Sequence, residues 1–515
     1  MRTKNFLKNL KSGFLLQLLT EILRFSVRTV FIHNFSSEYL GINGLFASIL
    51  TMLSIAELGL GAAITYSLYA PLARDDKQTI KSIMAFYKKT YRLIGLSILV
   101  LSVAIMPVLS KLINGDTNLV NIYFVFILYI INAVSGYLFY AYKASILYAD
   151  QKKYETDKCN AYAQMSMSLL QILALLGLRH TPELAFYLYN VSQIVATVMM
   201  NYLIARKVDK LYPYINERDI LPLEKEVKDS LTKNIKALSI GKISQAALQS
   251  IDSIVISMSV IGGTALVGMY SNYLAIVAAV EVFIKIVSSA LVSGLGNFNV
   301  TESKQRQKEV LDSLDLFYVW LYGFCGICFY VLMNPFIGGV WIDKDWLLSN
   351  TAVFLIAFVF IQKGATMSLQ RFIESNGLYH EARYRYIISA ILNIILSFTF
   401  VLKFNWGIEG VIFATVLCTF GMESISPYVV YKNVFSESSK KYYLKYFINL
   451  SVMSATAYLT KYIADIISPS YNIWGVLGRL GVCIIVINMI FLIVYANTKS
   501  FKYIKTRLIS IAKKR

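Results

Sequence analysis

Residues 13–33 read GFLLQLLTEILRFSVRTVFIH. The stretch is long enough to cross a bilayer as a helix. It also carries Glu21, Arg24 and Arg28, whose spacings of three, four and seven place them on one helical face. A mid-membrane arginine costs about 2.5–3.5 kcal/mol on insertion scales. One reading is that this face looks into a wet, cationic cavity that receives an anionic head group. The other is an intrahelical Glu21–Arg24 pair, with Arg28 snorkelling to the outer surface.

The rest of the chain repeats the membrane signal. Of its 515 residues, 57% are apolar and only 16% charged, with a mean hydropathy of +0.56. Apolar runs of about twenty residues recur along its length, which fits an all-α polytopic membrane protein and no soluble class. The ten-residue alternating segments of a transmembrane barrel are absent from the sequence. The net charge of +20 does not point to nucleic acid, because lysine and arginine gather in every second loop, the positive-inside pattern.

Fourteen spans are expected, near 13–33, 42–70, 91–112, 119–141, 159–178, 183–205, 236–261, 264–295, 312–334, 347–370, 384–403, 408–431, 443–467 and 473–495. Basic loops around Arg74 to Arg92, Lys143 to Lys158 and Arg206 to Lys236, then Arg371, Arg383 and Arg385, place both termini in the cytoplasm. The expected organisation is an N-terminal six-helix bundle (1–205), a cytoplasmic linker loop (206–235), a second six-helix bundle (236–432), an additional helix pair (443–495) and a basic tail (496–515). A unit of six spans returns to its starting side, so the bundles are expected as parallel repeats. Tyr39-Leu40-Gly41-Ile42 in the first half echoes Leu266-Val267-Gly268-Met269 in the second.

Several stretches carry a family likeness: EYLGINGLF at 38–46, LSIAELGLGAAITYSLYAPLA at 53–73, YPYI at 212–215, IDSIVIS at 251–257, VGMYSNY at 267–273, and LNIILSFTF followed by GIEGV at 392–400 and 407–411. In order and layout the chain resembles the polysaccharide-transport branch of the multidrug/oligosaccharidyl-lipid/polysaccharide (MOP) exporter superfamily, which includes the Wzx-type flippases. The resemblance implies two six-helix bundles in a V around a central cavity. It also implies a bacterial cytoplasmic-membrane flippase that moves undecaprenyl-diphosphate-linked oligosaccharide to the outer leaflet by alternating access. The work would be done as a monomer among membrane lipids, beside a polysaccharide polymerase and glycosyltransferases. Arg24 and Arg28 match basic positions such flippases place in the first helix, and Asp252 matches an acidic position early in the second bundle.

The charges at membrane depth supply the candidate residues. Arg24, Arg28, Lys285 and Lys363 are assigned to the diphosphate, since the guanidinium fork suits phosphate oxygens. Glu57, Asp252 and Glu281 are assigned to ion coupling or gating by a proton or sodium. Glu281 and Lys285 have the spacing of an intrahelical ion pair. Asp252 is expected to find a partner, with an arginine of the first span as the candidate, and Glu423 receives no role. Neither cofactor nor resident metal is expected, and Cys325-Gly-Ile-Cys328 lies in an apolar helix where packing is the default.

The first alternative function is a cation-coupled antiporter of drugs or organic cations on the same fold, against which a mid-span arginine argues. The second is a membrane polymerase or acyltransferase. That one is disfavoured by short outer loops and by histidines (His33, His180, His380) at span ends or in loops. No GxxxxGK[ST] loop for nucleotide binding occurs in the sequence.

Overall fold

The computed structural model describes residues 2–512, apart from residues 55–59, 115–118, 218, 224, 226–227, 230, 233–249 and 260–261. Every described element is helical. Among the described residues, eight helices are long and apolar enough to cross a membrane, or up to ten when each of two bent pairs counts as one span. The protein is thus an all-α, multi-pass membrane protein. Its contacts divide it into two compact units, Met1–Gly268 and Met269–Arg515.

The first unit contains α1 (Arg2–Asn34), α2 (Ser37–Leu53), α3 (Leu60–Ala73), α4 (Lys77–Ile105), α5 (Ile122–Leu138), α6 (Ala144–Ala149), α7 (Lys153–Gly177) and α8 (Pro182–Leu211). Helix α9 (Gly263–Thr301) begins here and lies mostly in the second unit. Helices α1, α7 and α8 pack together, and α5 packs on α4 and α8. A buried cluster that includes Ile64, Leu68, Ile83, Tyr87, Ile146 and Val208 joins α3, α4, α6 and α8. Where α2 meets the start of α9, backbones touch. A Cβ on Gly41 would lie 1.8 Å from the Thr264 carbonyl oxygen, and one on Gly268 would lie 2.0 Å from that of Ser37. The echoed YLGI and LVGM segments therefore cross each other through their glycines. Asn114 fixes the approach to α9, taking a hydrogen bond from Thr264 N at 2.9 Å and donating through Nδ2 to Ser259 O at 2.8 Å.

The stretch after α8 is strapped back onto the unit. Lys81 and Lys143 are buried, and they pair with Glu217 at 3.0 Å and with Asp209. Ser82 donates to Leu221 O at 2.7 Å. Asp76 caps α4, accepting from Thr79 N at 3.0 Å and from the Thr79 hydroxyl at 2.6 Å. These bonds, the hydroxyl's first, hold its carboxyl below the ordinary value. A depressed folded value gives stability that is full above the unfolded value of about 3.9 and is lost as pH falls through the folded one. Asp76→Ala is expected to cost about 0.5–2 kcal/mol at pH 7. Melting in detergent should show the gap to wild type closing as pH is lowered through the carboxylate range.

The second unit contains α10 (Lys304–Phe336), α11 (Asn350–Ala365), α12 (Met367–Ser375), α13 (Tyr379–Phe398), α14 (Gly407–Val430), α15 (Lys440–Ile467), α16 (Ile473–Tyr495) and α17 (Lys499–Ala512). Helix α10 is its spine and touches α11, α15, α16 and α17. Gly326, inside the Cys-Gly-Ile-Cys stretch, lets Ile361 of α11 close in: a Cβ there would meet the Ile361 side chain at 2.4 Å. All five cysteines are free, and Cys328 lies beside Cys483 of α16. Buried Asp315 ties α10 to α12 and α15, accepting from Ser368 at 3.0 Å and Tyr442 at 3.1 Å and pairing with Lys445 at 2.7 Å. The basic tail helix α17 docks on α10, with Phe501 stacked on Trp320 and Arg306 over the Tyr503 ring at 5.0 Å.

Candidate functional site

The charges at membrane depth fall into two groups, one in each unit. In the first unit, Arg24 Nη1 meets Glu21 Oε1 at 3.0 Å, with the arginine side chain 58% exposed. This is the pairing within one helix that the spacing allowed. Arg28, one turn on, is partly buried beside Tyr189, at the edge of a ring cluster formed by Phe31, Phe35, Tyr39 and Phe186. Asp252 is buried in the helical stretch 251–257. Glu57 lies outside the described residues.

The second unit holds a connected array. Glu281 of α9 carries two ammonium groups on one carboxylate: Lys363 of α11 at 2.5 Å on Oε1, and Lys285 of its own helix at 3.5 Å on Oε2. Glu281 is largely buried, while Lys363 keeps 45% of its side chain exposed. The arrangement follows from the helices. Four residues place Lys285 one turn from Glu281, and the face of α11 that turns Ala357, Phe360, Ile361 and Gly364 inward leaves Lys363 at its margin. Gly364 sets how closely α11 approaches α10, since a Cβ there would overlap Tyr322 at 2.0 Å.

The array continues through Glu423 of α14. That carboxylate accepts from Ser426 at 3.4 Å and from Thr366, in the break between α11 and α12, and it feels the charges of both Arg385 and Lys363. Arg385 of α13 is 2% exposed and donates to Ser426 at 2.6 Å, to Gln370 and to Tyr386. The Lys363 ammonium is thus bonded to Glu281, and its charge also reaches Glu423 of α14. Such a geometry can hold a proton or exchange partners. Among the described residues no group of three or more His, Cys, Asp or Glu is disposed to hold a metal ion.

Two members of this array were not assigned from sequence. Arg385 reads as a loop cation because basic residues flank it, yet it is sealed inside the unit. Glu423 reads as an isolated acid near a span end. Their partners Gln370, Ser426 and Thr366 are distant in sequence, so no spacing signals them.

The sequence matches no family model and no curated protein. Solved structures do match in fold. One is a multidrug resistance MATE family transporter of the MOP superfamily in an inward-facing conformation, with 15% identity over 85% of this chain and 96% of that one, at a TM-score of 0.62. A second is the lipid II flippase MurJ in an inward closed conformation, with 13% identity over 94% and 99% and a TM-score of 0.67. A third is a MOP superfamily transporter from Pyrococcus furiosus described as having a binding pocket of reverse polarity, with 14% identity over 87% and 96% and a TM-score of 0.52. The chain has the fold of the MOP superfamily transporters.

This corrects the flippase reading of the sequence. Multidrug resistance MATE family transporters recur among the structures of matching fold, and they agree better with the antiporter alternative than with export of a lipid-linked polysaccharide. The site geometry gives a physical reason. Arg24, Lys285 and Lys363, which the sequence reading assigned to a diphosphate, each meet a carboxylate of the protein itself. Binding a phosphate there first requires breaking those pairs. The mid-span arginine that argued against a cationic cargo is likewise neutralised by Glu21 within its own helix.

Proposed function

We propose that this MOP-fold protein is a cation-coupled antiporter that exports organic cations, with Glu281 and Lys363 as its ion-exchange element. The observation that carries the reading is the single carboxylate shared by two ammonium groups, one of them borne by a different helix. An incoming proton on Glu281 neutralises the carboxylate and releases Lys363, which then turns toward Glu423. Loss of that proton restores the first pairing. The helix bearing Lys363 thereby acquires two charge-dependent arrangements, which is what coupling requires.

A proton suits this place better than sodium. A hard metal cation needs a shell of several oxygen ligands, whereas Glu281 is faced by two ammonium groups that repel a metal ion. A proton needs one oxygen. The reading retains the fourteen-span layout with two six-helix bundles and an additional helix pair, and a bacterial cytoplasmic-membrane location with both termini inside, as the loop charges support. The test is uptake of a fluorescent organic cation into proteoliposomes under an imposed pH gradient in sodium-free buffer. Accumulation that follows the gradient and stops with a protonophore is expected. Accumulation that needs sodium, or that ignores both ions, contradicts the reading.

A further inference from the structure

The basic tail takes no part in the ion-exchange element. Residues 496–515 carry seven lysines and arginines and no acidic residue. Helix α17 opens this tail just past the end of a span, its first residue Lys499 following Tyr495, the last of α16. Thr498 makes the turn between them. Its amide and its hydroxyl both donate to Tyr495 O, at 3.0 and 2.6 Å, and its hydroxyl accepts from Phe501 N at 3.3 Å. A helix begun so soon after an apolar span of 23 residues starts at headgroup level.

Packing divides α17 into two faces. Phe501, Tyr503 and Ile504 are half-buried, and the first two rest on α10 through Trp320 and Arg306. Lys499, Lys502 and Lys505 recur every three residues on the other face and are exposed. Among the described residues none of the three pairs with a carboxylate. A cavity of about 430 Å³ lies between the first turns of α10 and α17, with Lys308, Glu309, Asp312, Lys499 and Tyr503 on its walls. Its height follows from α15. The Tyr495 hydroxyl donates to Asn449 at 2.9 Å, and Lys445, one turn earlier, reaches Asp312 at 3.4 Å. The cavity therefore begins where α16 leaves the hydrocarbon. The acids on its walls are engaged by cations from α10 and α15: Glu309 by Arg306 at 2.6 Å, and Asp312 by Lys445, which Asp315 shares. Lys308 is taken by Glu437. The unneutralised charge at this height is the lysine face of α17.

We propose that this face, with the cavity at its start, binds the headgroups of anionic phospholipids. Each ammonium near an anionic bilayer surface is worth about fivefold in affinity. The loop charges that put both termini inside also put α17 on the leaflet where a negative surface potential attracts such segments. The test titrates the full chain, delipidated in detergent, with dioleoyl phosphatidylglycerol and, separately, with dioleoyl phosphatidylcholine, following bound lipid by native mass spectrometry. Wild type is expected to bind the glycerol lipid about tenfold more tightly or better. Lys499→Gln/Lys502→Gln/Lys505→Gln should remove most of that preference without touching choline-lipid binding. Lys499→Arg/Lys502→Arg/Lys505→Arg should keep it, because charge is what the lipid reads. A control set of exposed lysines elsewhere, Lys111→Gln/Lys344→Gln/Lys403→Gln, should keep it too. Equal affinity for the two lipids in wild type is the result a mere topology signal would give, and it overturns the assignment. An undiminished preference in the glutamine triple, or an equal loss in the arginine or control set, also overturns it. So does a preference that inorganic phosphate abolishes, which would make this a site for free anions.

Discussion

Glu281→Gln is expected to reduce gradient-driven transport at least tenfold while leaving the protein folded. An amide keeps the size of the side chain but cannot alternate between charged and protonated forms, so the exchange between Lys363 and a proton has no place to occur. Two ammonium groups, Lys285 and Lys363, now meet on that carboxylate, and without it they repel each other at short range. Lys363 should then settle toward Glu423, locking one arrangement. Lys363→Met is expected to fail differently. It leaves Glu281 paired with Lys285, so downhill exchange of cargo persists while its dependence on the pH gradient disappears. The measurement is initial uptake into proteoliposomes with and without the gradient, at matched protein content. Full gradient dependence in Lys363→Met would remove the lysine from the mechanism.

Valine at Gly41 or Gly268 is expected to be severely damaging to folding. At both positions the atoms that a Cβ would strike belong to backbone, at 1.8 and 2.0 Å, so no rotamer change relieves the overlap. Overpacking costs about 1–3 kcal/mol where side chains can shift, and an immovable carbonyl places these sites at or above the top of that range. Melting in detergent should show a large drop for Gly41→Val and Gly268→Val. Gly421→Ala in α14 is the control. Nothing lies within 4 Å of its added carbon, and alanine gains about 0.5–1 kcal/mol over glycine in a helix. It should match or exceed wild type.

These two cases also mark what the sequence discloses. The helical, multi-pass character was legible because apolar length is a one-dimensional property. The Glu281–Lys285 pair was legible for a related reason, since four residues is a local spacing. The crossing of Gly41 and Gly268 was half legible: the two segments looked alike, but likeness does not say that they touch. Lys363 on Glu281 was not legible at all, because 82 residues separate them and no periodicity links α9 to α11. Arg385 misled for a simple reason. A basic residue at the end of a span looks the same in sequence whether water or Ser426 and Gln370 receive its protons. The counter-charges of Arg24 and Lys285 lie within one turn and were legible by spacing, whereas that of Lys363 lies on another helix and was not.

The central claim is that a proton moves against the cargo through Glu281. The most direct measurement is luminal pH in proteoliposomes loaded with an organic cation and diluted into cation-free, sodium-free buffer, followed with a trapped pH-sensitive dye. Efflux of the cation should acidify the lumen in wild type and leave it unchanged in Glu281→Gln. Cation efflux with no change of luminal pH in wild type, or the same acidification in both proteins, would contradict the account.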